Sequence, residues 1–465
     1  ANHNILTKLL RDELKFKGLA VTDWEDIIKL YKGHRVAKNM REAVKIAVMA
    51  GIDMSMTPND YSFNRALIDL VKTGEVPESR LNESCRRILW VKQQLGILDN
   101  PIPNFDNYED FGSVKHKQIA LSTAQESITL LKNDNQILPL SKNQNILVCG
   151  PGGNSLNILN GAWTHTWQGV DTSYNTQGVK TIFESIQELS TGEITYAQGS
   201  NLEERKNLQD ALTKASKAEL IVVCLGEVPC TEKPGDIEDL NIPLAQKELV
   251  EELSKLGKPI VLVMVLNRPR IVNEIEPLVS CIIQCYLPGD FGGKALAQVL
   301  FGEVNPSGKL PFTYPRHTGS LVLYDHKNTE KLDKDFGQNA FNPQWEFGYG
   351  LSYSQFDYTN LKINKQRYDK GEVINCSVDI TNNSSLAGKE IIQVYISDLI
   401  ASITPSVKRL RAFDKILIQP GETQTVEFEI KVQELAFVNN NSEWIVEPGQ
   451  FQLTIKDLSA DIEVY

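Results

Sequence analysis

The sequence predicts a multi-domain chain, α/β over its first two thirds and all-β at its end, and three observations carry that prediction. Apolar runs of strand length alternate with helical patterns from residue 1 to about residue 300, which implies parallel strands joined by crossover helices. From about Asp357 the hydrophobic period drops to two, the pattern of strands with one buried face. The chain has 465 residues, more than one hydrophobic core usually organises.

Composition sets the outer bounds. With 41% apolar and 23% charged residues, the chain has the make-up of a folded globular protein. Net charge is −11 and no block of Lys or Arg stands out, so neither a nucleic-acid groove nor a basic membrane-binding patch is indicated. Apolar runs such as 260–266 are far too short for membrane insertion. Seven Cys are an odd number and too few for a disulfide scaffold of this size. Cys149, Cys224, Cys281, Cys285 and Cys376 lie in apolar runs and read as buried thiols. Cys281 and Cys285 lack the His or Cys partners a zinc site needs. Neither a metal nor another cofactor is expected. Cysteine usage leaves the redox compartment open.

Residues 1–100 read as helix (5–15), strand (19–22), helix (41–50), strand (51–56) and two helices (63–73 and 77–95). Two strands cannot close a β/α barrel, which takes roughly eight, so this segment is either a small open unit or the tail of a barrel. Residues 100–118 have linker composition, with Pro101, Pro103, Asn104, Asn107 and Gly112. A second α/β pattern follows. Residues 123–131 read as helical, and strand-length apolar runs occupy 146–149, 194–197, 220–225, 260–266 and 281–287. Helical stretches at 181–189, 208–218, 245–256 and 294–301 alternate with them, which predicts a doubly wound sheet. Residues 302–356 are irregular. Val426-Glu427-Phe428-Glu429-Ile430 and Phe451-Gln452-Leu453-Thr454-Ile455 then alternate strictly, and Pro420-Gly421 and Pro448-Gly449 supply turns. A fibronectin- or immunoglobulin-like sandwich is expected there, structural in role because it shows no aromatic platform. The domain bounds that follow are 1–100, a linker at 101–120, an α/β domain at 121–315, an irregular linker at 316–356 and a β-sandwich at 357–465.

The chemistry is expected at strand ends. In Gly18-Leu19-Ala20-Val21-Thr22-Asp23-Trp24, a short apolar strand ends on a carboxylate with an indole beside it. In a β/α barrel such a residue points into the active-site mouth; alternatively Asp23 caps the next helix. The loop Gly226-Glu227-Val228-Pro229-Cys230-Thr231-Glu232-Lys233-Pro234-Gly235-Asp236 leaves the strand 220–225 and holds two glutamates, which serve either as a projecting carboxyl group or as a solvated acidic loop. Two carboxyl groups are what glycoside hydrolysis needs, one at the anomeric carbon and one protonating the leaving oxygen. Asn160-Gly161-Ala162-Trp163-Thr164-His165-Thr166-Trp167-Gln168-Gly169 puts two indoles on one loop; they suit sugar faces or an apolar clasp between domains equally. Trp24 either stacks on a sugar or plugs the barrel mouth. Gly150-Pro151-Gly152-Gly153-Asn154 lacks both the P-loop lysine and the dinucleotide spacing and reads as a tight turn. His34, His116, His317 and His326 show no pairing pattern.

Several of these stretches together resemble glycoside hydrolase family 3, of the β-glucosidase type. The carriers are the run from Leu9 to Trp24, Ala50-Gly51-Ile52-Asp53-Met54, Arg86-Arg87-Ile88-Leu89, Ser127-Ile128-Thr129-Leu130-Leu131-Lys132-Asn133, Asn305-Pro306-Ser307-Gly308-Lys309-Leu310-Pro311 and Phe347-Gly348-Tyr349-Gly350-Leu351-Ser352-Tyr353. The resemblance implies three parts: the C-terminal part of a TIM-like barrel, a doubly wound α/β sandwich and a fibronectin type III-like domain. It implies a retaining mechanism with Asp23 as nucleophile and a second-domain glutamate as acid/base, their carboxyl groups roughly 5–5.5 Å apart. Thr231-Glu232 is similar to the Thr-Glu of the family's acid/base loop, although Lys233-Pro234-Gly235-Asp236 departs from the Gly-Tyr-Asp-Arg that follows it there. Glu232 is therefore preferred to Glu227, which is expected to hold the loop. Substrate-binding roles are expected for Trp24, Trp163 and Trp167. The resemblance further implies that about six barrel strands, with the Asp, Arg and Lys-His pair that grip the terminal sugar, have no counterpart here. This chain would then need the N-terminal part of the same enzyme as partner. The expected substrate is an oligosaccharide with a terminal β-D-glucosyl residue, and the expected location is periplasmic or secreted. β-Xylosidase activity and a non-catalytic carbohydrate-binding fragment are the alternatives, and assembly as a homo-oligomer is left open.

Overall fold

The computed structural model describes residues 1–321, 323–330 and 341–465, in two compact units, Ala1–Phe111 and Gly112–Tyr465.

In the first unit, Asn4–Glu13 winds as a π-helix before the strand Val21–Trp24. This strand pairs in parallel with Met54–Met56, Val21 opposite Met54 and Trp24 opposite Met56. The helices are Asp26–Lys32, Met40–Ala50, Ser62–Lys72 and Glu78–Gln94. The first of them, only seven residues long, has no counterpart in the sequence reading. Met40–Ala50 starts where Asn39 accepts the Glu42 N–H at 3.0 Å, satisfying one of the amide donors a helix start leaves unpaired. A small core of Ile27, Ala43, Val44, Ala47, Val48, Leu70 and Val76 binds these helices together.

A buried carboxylate fixes the two strands. Asp53, its side chain fully buried, accepts the Ala20 N–H at 2.9 Å, the Ser84 hydroxyl at 2.7 Å, Arg11 Nη2 at 2.9 Å and Arg87 Nη1 at 2.9 Å, with Arg80 at 3.3 Å. Its own N–H donates to Ala20 O at 2.8 Å. This residue thereby locks the run into Asp23 against the helix Glu78–Gln94. It also explains why the second strand is shorter than expected: residues 51–53 form the junction rather than the ladder.

The second unit contains a six-stranded sheet in the order Thr129–Asn133, Cys281–Gln284, Ile260–Val265, Leu220–Gly226, Ile146–Cys149 and Ile194–Ala197. The last five strands are parallel and were legible as apolar runs; the four inner ones are buried on both faces and so carry no polar alternation, while the edge strand Ile194–Ala197 is half-buried. The first is antiparallel and corrects the expected helix at 123–131. The helix Val114–Ser127 stops at Ile128, whose ψ of 126° turns the chain into the edge strand. An apolar run continuing straight from a helix gives no periodic signal of that change. Separate hydrophobic cores cover the two faces of the sheet.

After the helix Gly292–Leu300, the described residues before the sandwich are irregular in backbone but pinned; residues 322 and 331–340 of the expected linker lie outside the described residues. Asn305 accepts the Ser352 hydroxyl and the Tyr353 N–H, the Leu351 N–H donates to Leu130 O, and buried Tyr314 donates to Arg270 O at 2.7 Å. The sandwich that follows has a three-stranded sheet (Phe356–Ile363, Val373–Asn382, Thr423–Lys431) facing a five-stranded one that includes Gly388–Asp398, Arg409–Ile418, Gly449–Ile455 and Leu458–Val464. Among the described residues no helix is long and apolar enough to cross a membrane.

Candidate active site

In the first unit, Asp23 sits one residue before the end of its strand and is exposed. Its Oδ1 accepts the Trp24 N–H at 2.7 Å, and its own N–H donates to Asp26 at 3.2 Å. The side chain does not cap the following helix, whose N-cap is Glu25 without a side-chain bond. Instead Asp23 lines a cavity of about 740 Å³ with Thr22, Asp26, His34 and Val36. Trp24, 57% exposed, presents its indole at the same strand end. An exposed carboxylate there, on a strand locked from behind by Asp53, can approach an electrophilic carbon without first breaking an ion pair.

In the second unit, the strand order places a topological switch point between Ile146–Cys149 and Leu220–Gly226. These neighbours run on to opposite sides of the sheet, which leaves a crevice beyond their carboxyl ends. The indole loop follows the first strand and the two-glutamate loop follows the second. Gly150, at φ +88°, and Gly152 form the expected tight turn. A Cβ on either would come within 2.3 and 2.6 Å of the carbonyls of Cys224 and Leu225, so only glycine lets the two loop roots lie this close.

The loops meet at Trp167 and Glu232, both singled out in the sequence, and at Gln168. Trp167 Nε1 donates to Glu232 Oε1 at 3.2 Å. The Gln168 amide spans Thr231, donating to its carbonyl at 3.3 Å and accepting its N–H at 3.1 Å. Glu232 is exposed, with φ 56° and ψ −153°, a backbone region that side-chain-bearing residues rarely adopt. Trp163, 66% exposed, stands on the same loop as Trp167. Asp23 and Trp24 belong to the first unit, whereas Glu232, Trp163 and Trp167 belong to the second.

Glu227 has a different environment. It is buried and held by Arg270 Nε at 2.7 Å, Arg268 Nε at 3.0 Å and the N–H groups of Asn267 and Arg268 at 3.0 and 3.2 Å. A carboxylate clasped by two guanidiniums and two amides anchors the loop root and has no free face toward a substrate. Arg268 also donates to Gly235 O at 2.8 Å, fixing the far side of the loop.

Two residues at this site were not singled out in the sequence. One is Gln168. The other is Asp290, which follows Pro288-Gly289 beyond the strand Cys281–Gln284. Asp290 accepts from Asn160 Nδ2 at 2.8 Å, contacts His165 Nε2 at 3.2 Å and accepts the Thr176 hydroxyl. The signal available for Asp290 was its position, a polar residue in a Gly-Pro loop at a strand's carboxyl end.

Comparison with known proteins adds the family. Residues 1–91 match the glycosyl hydrolase family 3 N terminal domain, 128–353 the glycosyl hydrolase family 3 C-terminal domain and 390–459 a fibronectin type III-like domain. The chain belongs to glycoside hydrolase family 3. Among its relatives, a lysosomal beta glucosidase of Dictyostelium discoideum is 39% identical over 98% of this chain and 57% of its own length. A periplasmic beta-glucosidase of Salmonella typhimurium is 33% identical over 99% of this chain and 64% of its own. Among solved structures, a beta-glucosidase from Listeria innocua in complex with isofagomine superposes with a TM-score of 0.87 at 29% identity, covering 100% of this chain and 66% of that one. The chain thus spans between about half and two thirds of the length of the family 3 proteins it matches.

Proposed function

We propose that this family 3 chain carries the nucleophile and the acid/base of a retaining β-glucosidase that removes terminal non-reducing β-D-glucosyl residues from oligosaccharides. The observation that carries the reading is Asp23, an exposed carboxylate lining a cavity at the carboxyl end of a parallel strand, on the motif that resembles the family's nucleophile. In the first step the Asp23 carboxylate bonds to the anomeric carbon as the glycosidic C–O bond breaks. The released electron pair goes to the leaving oxygen, which takes a proton from Glu232. In the second step Glu232, now ionised, removes a proton from water as the water oxygen displaces Asp23 from that carbon. Trp24, Trp163 and Trp167 supply flat apolar faces for sugar rings. We further propose that turnover needs more polypeptide than these two strands, since a closed barrel takes roughly eight, and that the protein works outside the cytoplasm, in the periplasm or as a secreted protein. Domain bounds of 1–100, 121–315 and 357–465 suit this division of labour.

The test is covalent trapping in the native protein. A 2-deoxy-2-fluoro-β-glucosyl donor with a good leaving group forms the ester quickly and hydrolyses it slowly. Peptide mass spectrometry should place the sugar on Asp23; a label on any other carboxylate overturns the assignment. Parallel aryl β-glucoside and aryl β-xyloside assays decide the sugar, a higher kcat/KM on the xyloside making the protein a β-xylosidase. Glucoside binding that survives Asp23→Ala, in a wild-type protein without turnover, makes it a binding module.

A further inference from the structure

Resting on the reading of Glu232 as acid/base, we infer that Trp167 and Gln168 are positioning residues that aim the Glu232 carboxyl group at the leaving oxygen, the Trp167 indole edge doing so while its face stays open to the aglycone. Glu232 is exposed, and a free glutamate there would rotate through several directions, of which few reach a glycosidic oxygen. Its backbone is in a rarely adopted region that needs support from outside the loop. That support comes from the indole loop: Gln168 spans Thr231 from both sides, and Trp167 Nε1 bonds Glu232 Oε1. The indole loop is held in turn by Asp290, through buried Asn160, His165 and Thr176. Asp290 therefore acts on the acid at two removes.

The chemistry follows from the shape of an indole. Its N–H lies in the ring plane, so bonding a carboxyl through the edge leaves the ring face unoccupied, and Trp167 is 48% exposed. With one carboxyl oxygen accepting the indole N–H, the proton resides on the other. That proton passes to the leaving oxygen as the anomeric C–O bond breaks. An aglycone seated on the Trp167 face thus meets the acid in a fixed direction, and leaving-group binding and leaving-group protonation become one property.

The experiment compares aryl β-glucosides in the native protein, reading kcat/KM, which reports bond cleavage. Trp167→Phe keeps an aromatic face but lacks the N–H. A phenyl-type leaving group needs the proton, and 2,4-dinitrophenolate does not. The expected result is a loss in kcat/KM at least about tenfold greater on the first substrate than on the second, part of what general acid catalysis supplies. An equal loss on both substrates, or none on either, overturns the inference, since a stacking or purely structural role affects both alike. Gln168→Met should give the same selectivity at smaller size, and it decides the matter if Trp167→Phe does not fold. Glu232→Ala tests the underlying reading separately: leaving-group-selective loss with β-glucosyl azide formed in added azide supports it. If Glu232→Ala shows neither, the acid/base assignment fails whatever the Trp167 variant does.

Discussion

Asp53→Asn should loosen the first unit far more than an isosteric change at most positions. The wild-type carboxylate is fully buried, and Arg11, Arg80 and Arg87 around it keep only 10%, 13% and 25% of their side-chain surface. Water screens these pairs weakly, so the small values of surface ion pairs do not apply. Removing one partner of a buried pair costs roughly 3–5 kcal/mol, mostly because the remaining charges stay desolvated. Glu83, 3.9 Å from Arg80 and 3.7 Å from Arg87, supplies partial replacement but is half exposed. The lower end, about 3 kcal/mol, is therefore expected. At 1.4 kcal/mol per decade that is about a hundredfold faster amide hydrogen exchange through opening of this unit. The amides to follow are Ala20, which donates to the Asp53 carboxylate, and Asp53, which donates to Ala20 O. Exchange within about threefold of wild type at neutral pH would refute the view that this cluster organises the unit.

The same cluster fixes a pH dependence. Burial by itself would raise the Asp53 pKa, but the Ala20 N–H, Ser84 and Arg87 bonds outweigh it and leave it below the ordinary value of 3.8. A carboxylate depressed in the folded state contributes stability that is complete above the unfolded value and is lost as pH falls through the folded one. The gap between wild type and Asp53→Asn should therefore be constant above about pH 4 to 5 and close in more acidic solution.

Two further outcomes follow from the second unit. Glu227→Gln leaves Arg268 and Arg270 without their counter-charge, so urea unfolding should show a loss of roughly 3–5 kcal/mol. Thiol titration of the native protein should show fast reaction only at exposed Cys85 and half-buried Cys230. Burial pushes the thiols of Cys149, Cys224, Cys281 and Cys285 up, and that of Cys376 to about 11, so these should react only after denaturant is added.

Some of this was legible in the sequence for a plain physical reason. Four parallel strands, Ile146–Cys149, Leu220–Gly226, Ile260–Val265 and Cys281–Gln284, are buried on both faces and written as near-continuous apolar runs; Glu232 stands in the loop after one of them, and Asp23 near the end of a shorter apolar run in the first unit. The edge strand Thr129–Asn133 was lost because its apolar residues continue from a helix, and Asp26–Lys32 because seven residues hold too few turns for a periodic signal. Gln168 and Asp290 were lost for another reason. Their bonds join residues 63 and 130 positions apart, and no local pattern encodes a partner at that distance. Glu227 and Glu232 differ in sequence only by place; the arginines that claim Glu227 lie about forty residues on.

The strand order explains why two loops so far apart in sequence come together. Ile146–Cys149 and Leu220–Gly226 are neighbours in the sheet although Ile194–Ala197 lies between them in the chain. The chain leaves the first toward one edge and the second toward the other, so the crossovers diverge and the loop roots bound a crevice. Gly150 and Gly152 narrow that crevice until turn backbone touches strand carbonyls, a spacing any Cβ would forbid. Once the roots are this close, Gln168 needs only its side-chain amide to stitch onto Thr231, and Trp167 reaches Glu232 without a change of backbone. The aim of the carboxyl group is therefore set by sheet topology, with the glycines, the amide and the indole as successively finer adjustments. Changes at Gly150 should accordingly be felt in leaving-group selectivity as well as in folding.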